Sequence, residues 1–86
     1  MRKIKGFGSR NCSYCQKMQP VLIELAQEGL IDIEFNEVSE KPKLFVEYGI
    51  ESYPTLIFFN EDGEEYHRII GEVPRGQVLE VYNEVL

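Results

Sequence analysis

Only two cysteines occur in the 86-residue chain, three positions apart, and a bridge closing so small a loop cannot staple a fold. Any bond between them is chemical rather than structural. One histidine, His67, is the sole further soft donor, whereas a structural zinc needs about four ligands. Positive charge is scarce as well: nine Lys and Arg against fifteen Asp and Glu leave a net charge of −6. Such a surface repels phosphate backbones, and no basic stripe with interleaved aromatics appears, so no nucleic-acid partner is expected. Apolar runs are short, as in Thr55–Phe59, and none reaches bilayer length. Met1–Gly6 carries charges with no apolar region or cleavage site behind them, so a cytoplasmic chain without a membrane partner is expected. Repeats, low-complexity stretches and linkers are absent, and the length suits a single domain spanning residues 1–86.

What is present is a dithiol, Cys12-Ser13-Tyr14-Cys15, set where a short apolar segment gives way to a helical pattern. Unpaired N–H groups at a helix start lower the pKa of a thiol, and this spacing lets one sulfur trap the other. Cys12 lies at or before the first turn. Cys15, one turn inside, shares a side with Met18 and Leu22 and is expected to be more buried. The asymmetry assigns Cys12 the attack on a substrate disulfide and Cys15 the release of the reduced product. Two other readings stay open at this point: a zinc or iron–sulfur cluster shared between two chains through the same cysteines, and inert packing.

The elements around the dithiol follow from periodicity. Lys3–Phe7 reads as a strand ended by Gly8-Ser9, and Asn11 or Ser13 is the expected cap of the next helix. Met18, Leu22, Leu25 and Ala26 form a helical stripe widened by Val21 and stopped by Gly29, with Pro20 predicting a bend. Ile31, Ile33 and Phe35 alternate with Asp32 and Glu34 as a half-buried strand. Pro42 opens a short helix through Leu44, Phe45 and Tyr48, stopped at Gly49. Thr55–Phe59 reads as a central strand, and Asn60-Glu61-Asp62-Gly63 as a hairpin turn into Glu65–Ile70. Val78, Leu79, Tyr82, Val85 and Leu86 repeat at helical spacing in a last helix from about Pro74. The order β-α-β-(α)-β-β-α predicts an α/β fold, one four-stranded mixed sheet with flanking helices.

Tyr53-Pro54-Thr55 is the second clue. Pro54 immediately precedes the most strand-like run, where a proline is a candidate for a cis bond. It would turn the Tyr53 N–H and C=O toward whatever lies beside the strand end, and next to a dithiol these groups can hold an extended substrate segment. Tyr53, Pro54 and Thr55 are therefore candidate substrate-binding residues, together with Ser13 and Tyr14 between the thiols. His67 is expected to be a solvated strand residue rather than a base, and Glu61, Asp62, Glu64 and Glu65 a solvated turn.

These motifs together resemble the thioredoxin family over Lys3–Leu86. Cys12–Cys15 with Met18 and Pro20 is similar to its active-site helix, and Tyr48-Gly49-Ile50, Tyr53–Leu56, Asp62-Gly63 and Gly71 to its second half. The resemblance implies a thiol–disulfide oxidoreductase with Cys12 as nucleophile, Cys15 as resolving thiol and Pro54 in cis. It also implies protein disulfides as substrates, a flavin reductase or glutathione as electron source, a monomer, and no cofactor or resident metal. Several departures stand out. The chain lacks room for the additional first strand and helix of thioredoxins, and is as short as a glutaredoxin. Gly6 stands where thioredoxins have a buried Asp thought to receive the resolving thiol's proton, and Phe35 where they have its partner lysine. Asn11 replaces the tryptophan before the first cysteine. Glutaredoxins, whose second intervening residue Tyr14 resembles, hold glutathione through a Gly-Gly and Asp pattern, but here the chain reads Gly71-Glu72-Val73. Protein disulfides are thus the expected substrates and a glutathione-coupled reductase the alternative.

Overall fold

Alternating apolar positions set the strands, and the computed structural model, which describes residues 2–85, places them in one sheet. The elements are β1 (Lys3–Gly8), α1 (Ser13–Gln27), β2 (Ile33–Glu37), α2 (Pro42–Glu47), β3 (Thr55–Phe59), β4 (Glu65–Ile70) and α3 (Arg75–Tyr82). The sheet runs β2-β1-β3-β4, with β1 and β2 parallel and the other two pairings antiparallel. β1 and β3 lie inside and carry Ile4, Phe7, Leu56, Ile57 and Phe58, all essentially buried. β3 is covered on both faces, as its unbroken apolar run requires.

The two faces are filled differently. On one, Met18, Leu22 and Leu25 of α1 and Val78, Val81 and Tyr82 of α3 pack on Ile4, Leu56, Phe58 and Ile69. On the other, Phe45 of α2 packs with Phe7 and Ile57, and the rings of Phe7 and Phe45 meet edge to face at 5.2 Å. The hairpin after β3 turns on Asn60, whose Oδ1 accepts from the N–H groups of Asp62 (2.9 Å) and Glu64 (3.0 Å). Gly63 there has φ of 80°, a conformation only glycine adopts cheaply.

Three expectations need correction. α1 is capped by Cys12 itself, not by Asn11 or Ser13: its Sγ accepts from the Cys15 N–H at 3.2 Å. β2 begins at Ile33 rather than Ile31, and Phe35 is 41% exposed because it pairs with Gly6, which offers no side chain to cover it. α3 stops at Tyr82, leaving Val85 94% exposed, because Asn83 Nδ2 turns back to the Leu79 carbonyl at 2.9 Å and closes the helix end. Met1 and Leu86, the latter counted in the expected helical repeat, lie outside the described residues. No helix among the described residues is long and apolar enough to cross a membrane.

Candidate active site

The segment between β1 and α1 is tied down before it reaches the dithiol. Arg10 N–H donates to Glu37 Oε1 at 2.6 Å, Asn11 N–H to Ser9 Oγ at 3.2 Å, and Cys12 N–H to the Ser9 carbonyl at 3.0 Å. Gln16 then reaches back, its Nε2 donating to the Arg10 carbonyl at 2.6 Å. The result fixes Cys12 at the cap position of a 15-residue helix. Both thiols are free and half-buried.

Their surroundings differ. Cys12 Sγ receives an N–H from the first turn, one of the four donors a helix start leaves unpaired, and a negative sulfur is the best acceptor for it. Cys15 sits a turn deeper, where burial pushes its thiol up to about 11; the bond to the Cys12 sulfur adds to this, and a backbone hydrogen bond from Ser9 opposes it. A glycine makes room for that sulfur. A Cβ on Gly8 would lie 2.8 Å from Cys15 Sγ, closer than side-chain atoms approach, so β1 must end in a residue without one. The sequence offered a signal here, a second glycine two positions after Gly6 on the same strand face, but it read only as a strand end.

The remaining candidates divide. The Tyr53–Pro54 bond is cis, as expected for a proline at that strand start. Pro54 lines the same cleft as Cys15, while its carbonyl accepts from the Gly71 N–H at 2.8 Å. Tyr53 has its ring edge-on to Phe45 at 5.7 Å, and among the described residues its backbone N–H and C=O take no partner. Thr55 is buried and gives its hydroxyl to the Ser52 carbonyl at 2.7 Å, so its side chain holds the loop before Pro54 rather than facing a ligand. Ser13 and Tyr14 stand on the surface, Tyr14 54% exposed with Lys17 Nζ 5.8 Å from its ring. Ile70, which the sequence did not single out for the site, pairs with Thr55 and is 65% exposed. His67 is exposed on β4, its Nδ1 3.7 Å from Glu84. Among the described residues no group of three or more His, Cys, Asp or Glu is arranged to hold a metal.

A helix that begins on one thiol, carries a second, half-buried, one turn later and shares a cleft with a cis-proline is the working part of a dithiol–disulfide exchanger. Known proteins have the same architecture. Residues 2–86 match the family of thioredoxin-like domains, and the chain belongs to that family. It is 36% identical over 86 residues to a thioredoxin of Staphylococcus epidermidis, with 98% of this chain and 82% of that one covered. Over 77 residues it is 38% identical to a thioredoxin of Staphylococcus aureus, covering 87% of this chain and 73% of that one. A mutant thioredoxin from Halobacterium salinarum superposes with a TM-score of 0.84 at 27% identity, over 99% of this chain and 77% of that one. The protein is a thiol–disulfide oxidoreductase with a Cys-x-x-Cys pair at Cys12 and Cys15, and family membership implies disulfide-bearing protein substrates and a reductase that recharges it.

Proposed function

We propose that Cys12 is the attacking thiol and Cys15 the resolving one. The helix N–H aimed at Cys12 Sγ carries this reading, because it sets that sulfur at the open helix start while burial keeps Cys15 a thiol. Cys12 thiolate attacks a substrate disulfide, giving a mixed disulfide and one substrate thiolate. Cys15, deprotonated in turn, attacks Cys12, and the second substrate sulfur leaves as the Cys12–Cys15 bond forms. Two electrons pass from the dithiol to the substrate.

The substrate segment lies against Tyr14 and Ile70, its backbone bonded to the unpartnered N–H and C=O of Tyr53 beside Pro54; Ser13 borders this surface, and Thr55 supports it through the loop it holds. The Gly-Gly and Asp pattern through which glutaredoxins hold glutathione is replaced by Gly71-Glu72-Val73, which favours protein disulfides over glutathione. The chain acts as one domain and a monomer in a reducing compartment such as the cytoplasm, where a dithiol is returned to its reduced form. Reduction of insulin disulfides tests the assignment. Cys12→Ser is expected to fall to background, and Cys15→Ser to accumulate mixed disulfide visible by mass spectrometry. Activity persisting in Cys12→Ser would sink the assigned role.

A further inference from the structure

A cleft of about 400 Å³ opens on Cys15 from the β2 side of α1. Its floor is Gly6, where a Cβ would meet only ordinary contacts, 3.5 Å to Leu56 and 3.7 Å to Ile33 and Phe35. Leu22, Leu56 and half-exposed Phe35 form apolar walls. The titratable groups around it are all engaged elsewhere. Glu37 accepts from the Ser39 hydroxyl and from the N–H groups of Arg10 and Ser39, both at 2.6 Å, which holds its carboxyl below the usual range and makes it a poor base. Glu40 Oε2 faces Arg10 Nη2 at 3.4 Å, and Lys41 Nζ is bonded to Asn36 Oδ1 at 3.1 Å. β1 and β3 contribute no titratable side chain to the cleft. Cys15 therefore has open space beside it, and none of these groups is hydrogen-bonded to its sulfur.

We infer that this Gly6-floored cleft admits a small diffusible base, hydroxide or a conjugate base the size of imidazole, that takes the proton of Cys15 in the resolving step. The inference rests on the assignment of Cys15 as resolving thiol. The base removes the Cys15 proton, the sulfur's electron pair forms the bond to Cys12, and the bond from Cys12 to the substrate sulfur breaks with release of substrate thiolate. Hydroxide from the solvent is the acceptor when no other base is dissolved. A small base of pKa near 7 speeds the step in proportion to its concentration.

Mixing reduced protein with one equivalent of 5,5′-dithiobis(2-nitrobenzoate) separates the two steps as two releases of the coloured thiolate, the second being resolution. At fixed pH and ionic strength, imidazole is expected to raise the second rate linearly, several-fold over its concentration range, and to leave the first unchanged. A bulky buffer of similar pKa should have little effect. Gly6→Leu, which fills the cleft, should abolish the imidazole response, and Gly6→Asp, which supplies a carboxylate, should make the second rate fast and independent of imidazole. If Gly6→Leu does not fold, as judged by circular dichroism, Gly6→Asn replaces it as the uncharged filler. A second phase indifferent to imidazole, or equally responsive in the filled variants, overturns the inference. Two full phases in Cys15→Ser would instead overturn the assignment of the resolving thiol, so the two failures are distinguishable.

Discussion

The surroundings of Cys12 and Cys15 differ in kind, although the two sulfurs are one helical turn apart. Cys12 is built into the backbone geometry of a helix start and meets an N–H donor at 3.2 Å. Cys15 is built into side-chain space, against the missing Cβ of Gly8 and on the cleft that Gly6 also lines. One sulfur is met by a backbone donor; the other keeps its proton until a base arrives. A pair of identical thiols thus becomes an ordered pair through what surrounds each, and the ordering needs no third catalytic side chain.

The strongest way to sharpen this contrast is pH. Burial raises the Cys15 thiol, so at neutral pH it is protonated and its thiolate fraction grows with pH. When Cys12 is tied up in the mixed disulfide, its own contributions to that rise fall away while burial remains. With no other base dissolved, hydroxide takes the Cys15 proton, and the resolving rate should then climb about tenfold per unit, roughly a hundredfold from pH 7 to 9. Stopped-flow measurement of the second phase checks this, and a flat profile below pH 8 would erase the difference between the two sulfurs.

Gly8→Ala attacks the contrast from the side of geometry. Its methyl would stand 2.8 Å from Cys15 Sγ and displace the sulfur from its line of attack. Resolution should slow by about tenfold or more while the first phase stays near wild type. Equal slowing of both phases would mean that Gly8 serves the whole dithiol segment. Tyr14→Ala is expected to have the smallest effect, about a threefold rise in KM for a protein disulfide with kcat little changed, in keeping with loss of one half-exposed aromatic contact. A larger fall in kcat would move Tyr14 from the docking surface into the exchange itself.

Much of this was legible in the residues, for reasons that can be traced. Helical and strand periodicity located the elements because the inner strands β1 and β3 are packed on both faces and tolerate few exceptions, and Pro54 announced a special strand start because a proline cannot sit inside a paired strand. What stayed hidden depends on contacts across the chain. Capping rules look for an oxygen, so Cys12 serving as its own cap through sulfur went unread. Phe35 reads as inward-facing by alternation, yet whether it is covered depends on Gly6 across the β1–β2 pairing. Val85 fits the helical repeat, but Asn83 closes α3 before it. The reach of Gly8 to a sulfur seven residues on is a property of the β1–α1 corner, and no local pattern encodes it.

The central claim is that Cys12, not Cys15, carries the reactive sulfur of the reduced protein. Brief alkylation of fully reduced protein with iodoacetamide at pH 7, followed by peptide mass mapping, tests it directly. The asymmetric surroundings predict label on Cys12 with Cys15 nearly untouched in the early time points. Label on Cys15 at an equal or greater rate would contradict the account.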